Sequence, residues 1–407
     1  MNFLLTDNVM LNGGDAAIIM GTLAFMHTFF PRAETRVQCD YYAKAKSLYT
    51  HFTLKQSITE ASMMYPPPLF WRIPSRLRYY LWCKGLRFPN LTSHQEREAL
   101  ADYGWADGVI SCGGSFLTDT YNIQNVLNEF KVAFEFKKPM VILGQSIGPF
   151  RSDVNLHEVS DCLKKFEVIV VRESRSYDLL LSLGINPNRL IRGRDLAFFL
   201  DEHPADNFIG LKTHPHLAVS VRRWLFPEGR DAVEAHHAYV NRMASTLDSI
   251  ITRTSAKITM ISTCQGTPAY AYDDSQVAEE VRSRMRFKDR VTVNSAFHTP
   301  EQFMRALETV DIFIGTRMHA CILAVLRNIP IINIEYEFKS REIFKEMGLQ
   351  KYVLNINEFT AEAIVRLVEE ILTDKQLIRD QIGAEVARAK KDLLLVGQKV
   401  REILLDK

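Results

Sequence analysis

The sequence predicts an α/β protein with two Rossmann-like, doubly wound domains, on three observations. Short apolar runs alternate with longer helical patterns from end to end. Those runs are continuously apolar and rich in Val, Ile or Leu, which suits parallel strands covered on both faces. The alternation comes as two series, separated by a polar stretch at residues 201–216. The expected organisation is a first domain over residues 1–200 and a second over 201–407, facing a cleft, with helices at the C-terminal end. A chain of 407 residues can hold two or three such units at roughly 150 residues each, so each can bury its own core.

The elements follow in order. After Asn12-Gly13-Gly14-Asp15, residues 16–30 form a long apolar stretch read as a helix. Strands are expected at 36–40, 108–112, 140–143 and 167–171. In the second series they are expected at 217–221, 257–262, 290–293, 311–314 and 330–334, with helices such as 232–251 and 300–308 between them. Residues 360–407 read as helix that packs back across the domains.

Residues 61–90 break the pattern. They contain no Asp or Glu, carry Pro66-Pro67-Pro68, and interleave basic residues with Phe70, Trp71, Tyr79, Tyr80 and Trp82. That mixture suits peripheral contact with an anionic inner membrane surface, with Arg72, Arg76 and Arg78 facing the lipid. The plainer alternative is an insertion that packs on its own domain.

Composition excludes several classes. A formal net charge of +2 gives no global field for nucleic acid. The six cysteines form no CxxC pair and have no companions at metal spacing, so they read as reduced and buried, as in a cytoplasmic protein. There is no basic n-region of a signal peptide, and no apolar run approaches about 20 residues. Walker A, HExxH and GxSxG motifs are absent from the sequence. Asp273-Asp274 reads as a solvated loop pair, so no metal or cofactor is expected.

Four signals lie where α/β proteins bind ligands, beyond the carboxyl ends of strands. Gly14 and Asp15 open the first helix, where free N–H groups favour an anion and Asp15 serves as cap, acid or base. Gly113, Gly114 and Ser115 follow a strand as a glycine turn able to cradle a phosphate or a sugar rim. Gln145 and Ser146, in Gly144-Gln145-Ser146-Ile147-Gly148-Pro149, offer neutral groups for sugar hydroxyls. Gly315-Thr316-Arg317-Met318-His319 sets a guanidinium and an imidazole at a helix start, suited to an anion and a proton transfer. Arg222 and Arg223 end another strand, and only one of two neighbours can aim at a given ligand.

In order, these pieces resemble the polysaccharide pyruvyl transferase family. The resemblance runs from about Asn12 to about Leu354. It adds Val171-Arg172-Glu173-Ser174-Arg175-Ser176, Asp195-Leu196-Ala197-Phe198, Pro330, Tyr336, Lys339 and Gly348-Leu349. Ser146 departs from a common glycine, and Leu196 from a common proline. The resemblance implies a GT-B-like fold, phosphoenolpyruvate as donor, and a vicinal or 1,3-diol of a saccharide, free or lipid-linked, as acceptor. It implies Arg317, His319 and Arg222 as donor-binding groups, and Lys339 counts with the substrate-binding residues. His319 is the expected acid, and Asp15 the expected acceptor-binding group or base. The rivals are a GT-B glycosyltransferase using a nucleotide-sugar and a non-catalytic anion- or glycan-binding protein.

Overall fold

The computed structural model of the protein describes residues 1–64, 74–84, 86, 91–200, 214–224, 231–268, 270 and 272–405, without the side chains of Ser75 and Arg76, and all that follows concerns those. They contain two sheets in which every paired strand runs parallel. The first holds β1 (Asn2–Thr6), β2 (Glu34–Cys39), β3 (Leu54–Gln56), β4 (Gly108–Leu117), β5 (Met140–Ile147), β6 (Val168–Val171) and β7 (Leu190–Arg192). Their order is β3-β2-β1-β4-β5-β6-β7. The second holds β8 (His216–Ser220), β9 (Lys257–Met260), β10 (Val291–Val293), β11 (Ile312–Gly315), β12 (Ile331–Glu335) and β13 (Val353–Asn355), in the order β10-β9-β8-β11-β12-β13.

Runs such as Val168-Ile169-Val170-Val171 are buried along their whole length because helices cover both faces of the sheet. In each sheet the order reverses beside the first strand, between β1 and β4 and between β8 and β11. Ligands bind at such reversals, outside the carboxyl ends of the strands.

Packing divides the chain into two units. The first is Met1–Leu11, Asp15–Leu200 and Lys391–Lys407; the second is Asn12–Gly14 and Asp201–Lys390. Residues 391–407, expected with the second domain, therefore pack with the first. The reason is local. Asp392 accepts from Arg194 Nε at 3.0 Å, Val396 lies against Gly193, and Gly397 presses on the ring of Phe29.

Residues 65–73, 85 and 87–90, and so Phe70, Trp71 and Arg72 of the proposed lipid face, lie outside the described residues, as does the side chain of Arg76. Arg78 corrects that expectation. It is fully buried in the helix Ser75–Cys83 and donates to Glu96 at 3.0 Å and to the Leu91 carbonyl at 2.7 Å. Residues 201–213 of the expected linker also lie outside the described residues. Among the described residues, no helix is long and apolar enough to cross a membrane. All six cysteines are free thiols, five of them buried.

Candidate active site

In the second unit the candidate residues lie where β8 and β11 end. Thr316 ties the two strands, its amide donating to the Ser220 carbonyl at 2.9 Å and its hydroxyl to the same oxygen at 3.1 Å. The chain then turns into the helix Met318–Leu326, with Arg317 at the N-cap. Gly315 allows the turn, since a Cβ there would lie 2.6 Å from Cys321 Sγ. The helix is buried throughout except at His319, which is half-buried. Its polar chemistry is thus gathered at its first turn.

Arg317 is fixed by Asp274. Its Nε and Nη2 donate to the two carboxylate oxygens at 2.8 Å each. Asp274 is 2% exposed and also accepts from Ser262 Oγ at 2.5 Å, so it is a buried anchor and not the solvated residue expected from its loop. Asp273 caps the helix Asp274–Arg284. Burial opposes the charge of Arg317, but the Asp274 carboxylate outweighs it and holds the guanidinium protonated.

Arg222 lies flat against Tyr336, its Cζ 4.1 Å from the ring centroid, and Trp224 tilts against the same ring at 4.6 Å. Its Nε donates to the Arg223 carbonyl at 3.2 Å, which leaves both Nη groups at the guanidinium edge. Arg223 is exposed. Lys339 is buried, with Nζ 2.7 Å from Glu337. Gly14 groups with this unit, and a Cβ built on it would come within 2.8 Å of His319 Nδ1. The backbone at Gly14 therefore packs directly on the imidazole.

The first unit changes several expectations. β4 continues through Gly113, Gly114 and Ser115 to Leu117, so these residues are strand and not a phosphate-cradling turn. A Cβ on Gly113 would meet the Gly144 carbonyl at 2.6 Å, so this glycine serves close strand pairing. β5 likewise continues through Gln145 and Ser146, both fully buried. Ser146 Oγ accepts from Arg172 Nε at 2.8 Å, and Arg172 pairs with Asp195 at 2.6 Å, so the serine serves a buried ion pair. Asp15 stands in the first turn of the helix Gly13–Phe29, half-buried. The side chain that takes the Gly14 amide there is that of Asn12, at 3.0 Å.

Sequence reasoning missed a pair of carboxyl groups in this unit. Asp7, directly after β1, and Glu129, in the helix Ile123–Glu135, lie together. Burial pushes Asp7 up to about 6 and Glu129 well above the usual carboxylate range. The available signal was the polar residue ending a strand, but β1 itself was not recognised.

Comparison with known proteins agrees with this architecture. The solved structure of HepE from Anabaena in complex with UDP-glucose superposes with a TM-score of 0.62 at 13% identity, over 100% of both chains. A putative UDP-N-acetylglucosamine 2-epimerase from Listeria monocytogenes gives 0.63 at 11%, over 100% of this chain and 97% of that one. These likenesses show a shared GT-B-like fold. The amylovoran biosynthesis protein AmsJ of Erwinia amylovora is 25% identical over 406 residues, covering 96% of this chain and 95% of that protein. The profile of the polysaccharide pyruvyl transferase family matches residues 12–337, a span that takes in Asp15, Arg222, Asp274, Arg317 and His319. With most of its length inside that match, the chain belongs to the polysaccharide pyruvyl transferase family.

Proposed function

We propose that the protein transfers a pyruvyl group from phosphoenolpyruvate to a diol of a saccharide in cell-surface polysaccharide assembly, forming a ketal and releasing phosphate. The observation that carries this reading is the grouping of Arg222, Arg317 and His319 around the reversal between β8 and β11. Phosphoenolpyruvate bears a carboxylate and a phosphate on one small carbon frame. The open edge of Arg222 offers it a fork of donors. Arg317, held by Asp274, keeps one Nη group for the donor. Lys339 adds a cation partly offset by Glu337.

His319 donates a proton to the methylene carbon of the donor, leaving an oxocarbenium-like centre at C2. One sugar hydroxyl adds to C2, phosphate departs, and the second hydroxyl closes the ring. Both hydroxyl protons are released. One balances the proton gained by the methyl group, and the other leaves with phosphate. Gly14 and Asp15 lie on the acceptor side of this proposal. The reading places the protein in the cytoplasm, beside the supply of phosphoenolpyruvate.

The test incubates the protein with phosphoenolpyruvate and a panel of lipid-linked and nucleotide-linked sugars. Mass spectrometry then follows the acceptor, and an assay follows free phosphate. A pyruvyl ketal with one phosphate per transfer supports the proposal. Nucleotide release from a nucleotide-sugar, without ketal, overturns it in favour of glycosyl transfer.

A further inference from the structure

The first unit carries a polar site that the donor residues do not use. Asp7 stands one residue past β1, at the reversal toward β4, with φ of 63°. A left-handed backbone at a residue other than glycine is held by its surroundings, and such strain gathers at functional sites. Thr6 Oγ1 donates to Asp7 Oδ2 at 3.0 Å, and Thr59 Oγ1 donates to Glu129 Oε1 at 2.5 Å. The two carboxyls lie within hydrogen-bonding reach of each other. Ser111 on β4 adds a second hydroxyl to Asp7, while Glu129 Oε2 is a buried acceptor left without a donor. Two ionised carboxylates cannot donate to each other, so one proton held between them is what satisfies both.

A separate observation points to a ligand. Tyr103, on the helix His94–Trp105, is fully buried and its hydroxyl has no hydrogen-bond partner, while the charges acting on it most are those of Glu129 and Asp7. The buried Tyr103 hydroxyl beside this carboxyl pair still lacks a polar partner, a place that another hydroxyl can fill. The surrounding titratable groups are acids. Asp40 follows β2 and is held by Ser57, Glu60 lies on the helix Ile58–Met64, and Cys112 lies on β4. The nearby guanidinium of Arg36 is taken by Asp102 at 2.7 Å.

We infer that the first unit has an acid–base site of its own, in which Asp7 and Glu129 share one proton and the partly exposed Asp7 exchanges protons with a hydroxyl of a bound saccharide. The identity of that hydroxyl's owner rests on the function proposed above; the shared proton does not. In that exchange the sugar O–H bond breaks and its proton passes to Asp7, leaving the sugar oxygen as a nucleophile. The pair then holds two protons and returns one to water.

The sign of the pH effect follows from burial. A carboxyl whose folded pKa is raised favours folding below the unfolded carboxyl range, and that contribution is lost as pH rises through the folded value. At pH 8 the pair is therefore a stability cost, and Asn, which tolerates a left-handed backbone, removes it. Thermal unfolding of Asp7→Asn and Glu129→Gln is measured at pH 4 and pH 8, with phosphate release from phosphoenolpyruvate and a pyruvylated acceptor followed from pH 5 to 9. We expect a Tm gain of roughly 2–4 °C at pH 8 with none at pH 4. We also expect Asp7→Asn to lose about 10²-fold or more in turnover. A Tm change equal at both pH values overturns the shared proton, and this arm is read even if the parent transfers no pyruvyl group. A stabilised Asp7→Asn with parent turnover and pH profile overturns the role toward the hydroxyl.

Discussion

Arg317 grips Asp274 through two parallel hydrogen bonds of 2.8 Å, so the arginine of the sharpest sequence motif is one half of a neutral pair. Arg317→Ala leaves a carboxylate that is 2% exposed without its cation. The expected cost is about 3–5 kcal/mol in urea unfolding. The double variant Arg317→Ala/Asp274→Ala is expected to cost less than the sum of the singles. Strict additivity would deny the coupling. Arg317→Lys keeps the charge but loses the fork, and should fall between parent and Arg317→Ala.

Arg222 is the arginine whose edge stays open. Its loss, in Arg222→Ala, should raise KM for phosphoenolpyruvate more than any change at Lys339, because Lys339 is already paired with Glu337. Tyr336 orients it by stacking, so Tyr336→Ala should raise KM by about 2- to 30-fold, matching about 0.5–2 kcal/mol, while Tyr336→Phe stays near the parent. Steady-state kinetics against phosphoenolpyruvate decide this. Equal effects of the Ala and Phe variants would remove stacking from the account.

His319→Gln should lower kcat by about 10²–10⁴ with a smaller change in KM. Gly14→Ala reaches the same ring by another route, since its new Cβ would fall 2.8 Å from Nδ1. It should lower kcat while circular dichroism shows a folded protein. Parent-like kcat in a folded His319→Gln variant would take the imidazole out of the chemistry.

Gly113→Ala tests the corrected role of the glycine run. A Cβ 2.6 Å from the Gly144 carbonyl forces β4 and β5 apart. The expected cost is about 1–3 kcal/mol in thermal or urea unfolding, with activity per folded molecule preserved. Lost activity at full stability would restore the ligand-cradle reading.

The alternation of apolar runs made both sheets legible, and the strands expected at 108–112, 140–143 and 311–314 start within a residue of β4, β5 and β11. Their ends were harder to read. Gly113 and Gln145 carry turn-like or polar chemistry, yet the pairing of Gly114 with Gln145 continues the ladder past them. β3, β7 and β13 are three residues each and too short to show a period. β1, five residues long, was overlooked, and with it Asp7. Arg317 and His319 were legible because two ionisable groups flank an apolar helix start. Asp274 was not, since a carboxylate in a polar loop looks solvated until the fold brings Arg317 to it.

The helix Lys375–Leu405 gives the chain an order of assembly during synthesis. Its residues from Lys391 onward belong to the first unit, where Asp392 holds Arg194 and Gly397 admits Phe29. They emerge from the ribosome only after the whole of residues 201–390. Units made first usually fold first. Here the surface of the first unit around Phe29 and Gly193 stays uncovered until the second unit has been translated. A nascent chain halted before Lys391 should therefore keep its second unit foldable and leave its first unit open to protease near those two residues.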